Sequence, residues 1–343
     1  MLADLATAPA SPSTTSARAG LLAAIAAALL FGVNGTVSKL ALGAGLPSTR
    51  LVEIRSAGSA LCLLAVVALT RPHALAVRPR ELAFLAAAGV VGIGVVQWFY
   101  FVAIARLPVG IALLLEFLAP VFVALWVRFG RGESVRPRLW GGLVLCLVGL
   151  ALVARVWTGL SLDGVGVLAG LAAAVSLAVY YLTGEHGLGQ RDPLSFAAWT
   201  FTAAAIFWAM LRPPWTFDWS VLADGVALPG ALEGTTVPLW ALVAWNVLLG
   251  TVVPYALVLL AIRHVGPTSA GLLGTAEPVA SGFVAWVVLR ESLTVVQLMG
   301  GAVVLAGIVA AETARRGGPP LGVEQEIGHE RTIPLEEADP QRW

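Results

Sequence analysis

The chain alternates long apolar stretches with short polar connections, and this pattern predicts a bundle of membrane-spanning helices. A span needs about 20 mostly apolar residues at a rise of 1.5 Å per residue. Ten stretches meet that length: 20–42, 50–70, 81–105, 108–128, 138–156, 163–185, 193–211, 237–262, 266–289 and 293–312. The connections at 105–108 and 262–266 are so short that we expect tight hairpins there. The predicted fold is all-α and integral to the membrane.

The two halves of the chain repeat each other. Residues 97–153 align with 255–311 at a constant shift of 158, which pairs Pro120 with Pro278. The front of each half aligns at a shift of 146, and the 12-residue difference falls around Arg212–Trp240. Each half holds five predicted helices, an odd number, so we expect the second repeat to be inverted in the membrane. Internal duplication of an apolar chain is typical of repeat-built transporters.

The repeats divide the chain into four segments. These are a disordered N-terminus at 1–19, a first repeat at 20–156, a second repeat at 163–312 and a disordered tail at 313–343. Leu21–Leu30 could pass for the core of a signal peptide, but only Arg18 supplies a positive charge before it. Because the second repeat contains the counterpart of this segment, we interpret it as a retained first helix.

Composition narrows the class further. Of the 343 residues, 58% are hydrophobic and 12% are charged, with a mean hydropathy of +0.87. Soluble domains carry roughly 25% charge, so the bilayer must act as solvent for this chain. A net charge of +1 gives no pull toward nucleic acid. Cys62 and Cys146 stand singly in apolar runs, which favours packing over a disulfide or metal site. We expect no metal, no cofactor and no enzymatic activity.

Arginine distribution predicts the orientation. With the N-terminus inside, connections on the cytoplasmic side hold 12 arginines and those outside hold 5. The excess of positive charge inside indicates that both termini are cytoplasmic. The long connection at 212–236 then lies outside, and its Trp215 and Trp219 suit the membrane interface. We predict a multi-pass protein of the inner, cytoplasmic membrane.

Two carboxylates at membrane depth are the strongest functional candidates. Glu116 lies in the middle of the fourth span before Pro120, and Glu277 lies in the middle of the ninth span beside Pro278. Ionisable residues at this depth are costly and mark substrate or proton pathways. Each proline frees a backbone carbonyl four residues earlier and is expected to kink its helix. A polar central cavity would explain both features, and a structural kink with a protonated Glu is the alternative.

Two basic residues allow more than one interpretation. Arg55 lies near the outer end of the second span, where it could snorkel to the interface or reach inward to pair with a carboxylate of substrate or protein. Lys39 lies near the end of the first span, and we expect it to snorkel. Glu133 and Glu291 precede the fifth and tenth spans, where we expect each to cap a helix start.

Uncharged polar and aromatic residues complete the candidate cavity. They are Asn34, Gln97, Trp98, Tyr100, Tyr180, Tyr181, Trp199, Asn246 and Tyr255. Asn34 and Tyr180 occupy equivalent repeat positions, as do Gln97 and Tyr255, which favours a shared central space for both pairs. Each could instead serve helix packing or interface anchoring.

These residues carry a family likeness. Pro120 followed by Gly132-Glu133, and Pro278 followed by Arg290-Glu291, each before a glycine-rich span, resemble the EamA domains of the drug/metabolite transporter superfamily. The segments Leu107–Phe117, Thr251–Tyr255 and Tyr180–Gly184 are similar to its threonine/homoserine exporter branch. The family usually has Gly where Arg290 stands.

The resemblance implies efflux of amino acids or related metabolites, driven by protons, with two repeats rocking around a central site. The partners would be a small-molecule substrate, protons and the lipid bilayer. Efflux of cationic drugs, favoured by the many aromatic residues, and metabolite uptake by the same fold are the alternatives. Ten spans could enclose a site within one chain, so both a monomer and a homodimer are compatible with the sequence.

Overall fold

The computed structural model describes residues 14–132, 137–154, 162–187, 191–274 and 276–316, but not the side chains of 14–17, 138–139, 154, 183–187, 266–272 and 311–316. Thirteen α-helices are found in these ranges. They are α1 Thr14–Gly43, α2 Ser48–Thr70, α3 Pro79–Gly89, α4 Val96–Ile104, α5 Val109–Glu116, α6 Ala119–Leu125, α7 Pro137–Ala154, α8 Gly164–Gly187, α9 Pro193–Leu211, α10 Leu239–Val247, α11 Val253–Gly274, α12 Glu277–Leu289 and α13 Val295–Arg316.

Three π-helical segments, each with a wider turn than an α-helix, adjoin these helices. Val90–Val95 joins α3 to α4, Trp126–Gly130 extends α6, and Leu248–Val252 joins α10 to α11. Within the described ranges, seven helical segments are long and apolar enough to cross a membrane. Three shorter apolar helices, Trp140–Val153, Glu277–Leu289 and Val295–Ala310, lie in the predicted fifth, ninth and tenth spans. The protein is therefore a helical, multi-pass membrane protein.

The chain also turns back at the second short connection, 262–266, although α11 is assigned as one helix from Val253 to Gly274. Before this connection α11 packs along α1, with Tyr255 against Phe31, and a Cβ on Gly20 would lie 2.6 Å from the Cβ of His264. After it the chain returns along α1, where a Cβ on Gly32 would lie 2.9 Å from the Cβ of Ala280. The hairpin expected at 105–108 is present, between α4 and α5.

Equivalent helices of the two repeats pack against each other. The most extensive pairing joins α7 and α13, whose glycines let the two backbones approach closely. A Cβ on Gly149 would lie 2.7 Å from the carbonyl oxygen of Gly300, and one on Gly307 would lie 2.7 Å from that of Gly142. The two helices therefore run antiparallel. Gly142 in the first repeat is equivalent to Gly300 in the second, and Gly149 is equivalent to Gly307. The contact between Gly149 and Gly300 is therefore the repeat equivalent of the contact between Gly307 and Gly142.

Polar contacts between helices gather at two ends of the bundle. At one end, Arg50 donates to the carbonyl oxygen of Arg212 at 3.0 Å, and Lys39 pairs with Glu291. At the opposite end, Arg71 pairs with Asp192. We call these the Glu291 end and the Asp192 end.

The connection between α9 and α10 lies at the Glu291 end and is compactly folded. It contains a two-stranded antiparallel hairpin, β1 Gly225–Ala227 and β2 Thr236–Pro238, in which Val226 pairs with Val237. Arg50 holds this connection to α2, because it also donates to Thr216 at 3.3 Å and pairs with Glu53 at 2.5 Å.

Candidate functional site

Two helix breaks define the centre of the candidate site. In the first repeat α5 ends at Glu116, and in the second α11 ends at Gly274, each four residues before a proline. Pro120 has no N–H for the carbonyl of Glu116, and Pro278 has none for that of Gly274, so neither helix can continue regularly. The sequence placed both carboxylates inside spans. The structure places Glu116 at the last residue of α5 and Glu277 at the first residue of α12.

Both carboxylates lie within electrostatic range of one arginine, although neither is among the ion pairs of the described residues. Arg55 interacts electrostatically with Glu116 and with Glu277, and the two glutamates also interact with each other. Although the two glutamates sit deep among the helices, both remain partly accessible, whereas neighbouring Leu115 is fully buried. The packed core therefore encloses the two glutamates only in part.

Arg55 points into the bundle and does not reach for the membrane interface. Its side chain is buried, with 8% of the residue exposed. The guanidinium donates through Nε to Thr251 Oγ1 at 2.8 Å and through Nη2 to the carbonyl oxygen of Gly250 at 3.2 Å. It also lies over the ring of Phe101, 5.7 Å from the centroid. The sequence allowed Arg55 either to snorkel to the interface or to reach inward, and the structure shows the inward position.

The π-helical segment Leu248–Val252 makes this arrangement possible. Segments with a wider turn occur often at functional sites, because they present backbone groups that a regular α-helix keeps occupied. Here the carbonyl of Gly250 accepts from Arg55, and Thr251 Oγ1 donates in turn to the carbonyl of Asn246 at 2.9 Å. The contacts of Gly250 and Thr251 with Arg55 were not predicted from the sequence. A Gly-Thr pair inside an apolar span was the only available signal.

Two tyrosines lie in the same region as Arg55. Tyr100 and Tyr255 each interact electrostatically with Arg55 and with both glutamates. A Cβ on Gly35 would lie 2.7 Å from the Tyr100 hydroxyl and 3.2 Å from Ser281 Oγ, so these two hydroxyl groups lie close together. Ser281, which the sequence analysis did not single out, is fully buried and joins the site through α12.

Asn34 and Gln97 carry buried oxygens that lack a hydrogen-bond partner in the part of the chain that the structure describes. Asn34 Oδ1 occupies the space beside Gly250, where a Cβ would be 1.9 Å away. Among the described residues, Asn34 Oδ1 and Gln97 Oε1 are buried without a hydrogen-bond partner. Buried polar atoms in native proteins are nearly always paired, with protein, ordered water or ligand. These two oxygens are therefore available to a bound molecule or to water.

Tyr180 lies next to this group rather than at its centre. Its ring packs on Phe196, with centroids 6.2 Å apart, and against Gly92, where a Cβ would be 1.9 Å from the ring. Tyr180 interacts with Tyr255, which forms edge contacts with the rings of Phe31 and Phe201. Of the two predicted pairs, Asn34 with Tyr180 and Gln97 with Tyr255, the structure places Asn34 and Tyr255 near Arg55 or its partners and Tyr180 beyond them.

Two expectations at the Glu291 end are wrong. Lys39 does not snorkel, because its Nζ pairs with Glu291 Oε1 at 2.6 Å. Glu291 does not cap the helix that follows it. Its Oε2 accepts from the backbone N–H of Val109 at 2.9 Å and so caps α5 of the other repeat. Glu133 lies outside the described residues.

An apolar groove of about 520 Å³ lies outside the Arg55 site. It runs between α12 and α13 and reaches Pro278 and Gly110. Its lining includes Phe283 and Trp286, which are among the exposed large hydrophobic residues of the chain. This composition is that of a surface in contact with lipid.

Comparison with known proteins identifies the class. A model of the EamA-like transporter family matches residues 18–155 and 164–312. The chain therefore belongs to the EamA-like transporter family, as the two-repeat resemblance predicted.

Individual relatives are exporters by name. The chain is 27% identical over 231 residues to the threonine/homoserine exporter RhtA of Escherichia coli K12, covering 66% of this chain and 70% of the relative. It is 27% identical over 210 residues to the pseudopaline exporter CntI of Pseudomonas aeruginosa, covering 60% and 72%. A solved crystal structure at 21% identity covers 88% of this chain and 99% of its own, with a TM-score of 0.58. That likeness shows the fold alone.

Proposed function

We propose that this protein is a proton-coupled secondary transporter that exports amino acids or related small metabolites by alternating access. The observation that carries the proposal is that Arg55 lies within electrostatic range of Glu116 and Glu277, at two helix breaks that come one from each repeat. A site built at the interface of two repeats, with broken helices at membrane depth, is the recurring arrangement of secondary carriers.

The charges suit an amino acid. Its ammonium group can pair with Glu116 or Glu277, and its carboxylate can bind the Arg55 guanidinium, which presents donors in a planar fork. The unsatisfied oxygens of Asn34 and Gln97 can accept from the ammonium or from a side-chain hydroxyl of the substrate.

Proton coupling follows from competition at one carboxylate. Glu116 can be neutralised either by a proton or by the substrate ammonium, and carrying both at once is disfavoured. Proton entry from the side of higher proton activity would then release the substrate there and allow the empty carrier to return.

We propose that the chain crosses the membrane ten times, in two inverted repeats at 20–156 and 163–312. The antiparallel glycine contacts of α7 and α13, which the repeat exchanges, support the inversion. Connections that are predicted to lie on the same side of the membrane contact each other, as Arg50 does with Arg212 and Arg71 with Asp192. These contacts support a chain that crosses the membrane back and forth. We place the protein in the inner membrane with the Glu291 end outside and both termini in the cytoplasm.

Amino-acid export is favoured over the alternatives by Arg55 and by the relatives. A buried guanidinium at the centre of the site repels an organic cation, although the rings of Phe101, Tyr100 and Tyr255 would attract one. The names of the relatives, a threonine/homoserine exporter and a pseudopaline exporter, favour efflux over uptake.

Counterflow in vesicles tests the substrate class. Purified protein is reconstituted into vesicles loaded with one unlabelled compound, and entry of the same compound in labelled form is followed without a gradient. The panel contains threonine, homoserine, other amino acids and tetraphenylphosphonium. We expect counterflow with amino acids, and counterflow with the organic cation alone would contradict the proposal.

A further inference from the structure

A cluster of four groups closes the Glu291 end of the bundle. The Lys39 ammonium donates to Glu291 Oε1 and to the carbonyl oxygen of Leu107, each at 2.6 Å. The other oxygen of Glu291 accepts from the N–H of Val109 at 2.9 Å. The side chains of Lys39 and Glu291 are 25% and 15% exposed, so water screens this pair only in part.

The cluster joins the two repeats. Lys39, Leu107 and Val109 belong to the first repeat, at the end of α1 and in the turn from α4 to α5, whereas Glu291 follows α12 in the second. Arg290 adopts a left-handed conformation, φ 56°, at the end of α12, and this turn brings Glu291 toward α5. Because Val109 opens α5, its free N–H and the positive end of the helix dipole both favour the carboxylate.

The repeat does not reproduce this cluster at the opposite end. The residue equivalent to Glu291 is Glu133, but the residue equivalent to Lys39 is Glu185, an acid, at the shift of 146. The residue equivalent to Val109 is Pro267, at the shift of 158, and a proline has no N–H to donate.

We propose that Lys39 and Glu291 form a latch that holds the Glu291 end closed at rest, and that transport requires this latch to open. The proposal rests on alternating access as the proposed mode of function. The Asp192 end is joined by other ion pairs between the repeats, Arg71 with Asp192 and Glu81 with Arg191, so the latch acts on the Glu291 end alone. Breaking the pair of Lys39 and Glu291 destabilises the state that is closed at the Glu291 end and so raises the population of the state open there.

The test measures access to a buried reporter from outside. Cys62 and Cys146 are replaced by Ala, and Ser281→Cys supplies the reporter, because Ser281 is fully buried beside Tyr100 in the proposed site. Intact cells are treated with a membrane-impermeant thiol reagent, and the labelling rate is compared among variants. We expect Lys39→Met and Glu291→Gln each to raise the labelling rate about tenfold. A change of this size corresponds to a typical coupling free energy between two conformational states.

Two controls separate a latch from general loosening. Lys39→Arg keeps the charge and the donors, so its labelling rate should stay at that of the parent. Asp163→Asn breaks another ion pair at the same end, with Arg106 at 3.8 Å, but those side chains are 44% and 46% exposed, and we expect no change.

An unchanged labelling rate in both Lys39→Met and Glu291→Gln would overturn the latch. An equal rise in Asp163→Asn would do the same. Because labelling needs no substrate, this outcome is distinct from failure of the proposed function, which would appear as absent counterflow in the wild type.

Discussion

Arg55 of the first repeat donates through Nε to Thr251 Oγ1 of the second repeat, at 2.8 Å and out of contact with bulk water. This hydrogen bond fixes the guanidinium between two helix breaks, where its charge faces Glu116 and Glu277. An arginine in this position is costly in a membrane protein, and the hydroxyl, the Gly250 carbonyl and the two carboxylates together offset the cost. The arrangement leaves a substrate carboxylate a charged partner that is already oriented.

Replacing Arg55 should therefore impair substrate binding more than folding. In Arg55→Met we expect the apparent substrate KM in vesicle transport to rise at least about tenfold, because a charge-assisted contact is lost. Arg55→Lys should recover little, since a lysine cannot reproduce the planar fork. Thr251→Val is the matched control, with a rise of only a few-fold. An Arg55→Met variant with wild-type KM would show that Arg55 does not contact the substrate.

The glycine contact between α7 and α13 should be intolerant of side chains. A Cβ on Gly149 would lie 2.6 Å from the backbone nitrogen of Val304, and backbone cannot move aside as a flexible side chain can. We expect Gly149→Ala to lower stability by about 1–3 kcal/mol, the usual effect of overpacking. Thermal melting in detergent measures it.

Gly141 on the same helix provides the comparison. A Cβ there meets nothing within 4 Å, so Gly141→Ala should melt at the wild-type temperature or slightly above it. Equal melting temperatures for the two variants would mean that α7 and α13 do not pack through Gly149.

The ion pair of Arg50 and Glu53 should matter for stability. Their side chains are 6% and 5% exposed, so Glu53→Gln leaves a buried guanidinium with weaker compensation. Removing one partner of a buried pair costs roughly 3–5 kcal/mol. Glu233→Gln breaks the pair with Arg290, whose side chains are 68% and 71% exposed, and should cost no more than about 1 kcal/mol. A reversed order of the two melting temperatures would contradict this ranking.

The hairpin between α9 and α10 should be reachable from outside the cell. Gly234 in its turn is exposed, and no atom lies within 4 Å of a Cβ built there, so a short epitope inserted after it should be tolerated. We expect an antibody to bind this epitope on intact cells and an epitope at either terminus only after permeabilisation. Binding at 234 that required permeabilisation would reverse the predicted orientation.

The sequence predicted the features that repeat or that depend on local chemistry. Proline removes a backbone donor wherever it stands, so Pro120 and Pro278 located the ends of α5 and α11 without knowledge of the neighbouring helices. The apolar stretches and the duplication likewise predicted a repeat-built membrane transporter. The motifs after Pro120 and Pro278 resembled one family, which the match over both repeats confirmed.

Contacts between distant helices could not be predicted in the same way. Arg55 lies about two turns into α2, from which both the interface and the interior are within reach. Its partner Thr251 lies 196 residues further along. Whether Arg55 points to the interface or to the interior depends on the π-helical turn at Leu248–Val252. Residue types alone do not predict such a turn. Lys39 and Glu291, 252 residues apart, were each assigned a local role for the same reason.

Substrate-driven proton movement in vesicles measures whether Glu116 couples protons to transport. Wild-type protein and Glu116→Gln are reconstituted with a pH-sensitive dye inside, and an amino acid that gave counterflow is added. The account predicts proton flux opposite to the amino acid in the wild type. It predicts none in Glu116→Gln, whose side chain neither binds nor releases a proton. Full, pH-dependent transport by Glu116→Gln would contradict the account, because proton and substrate would then not compete at this residue.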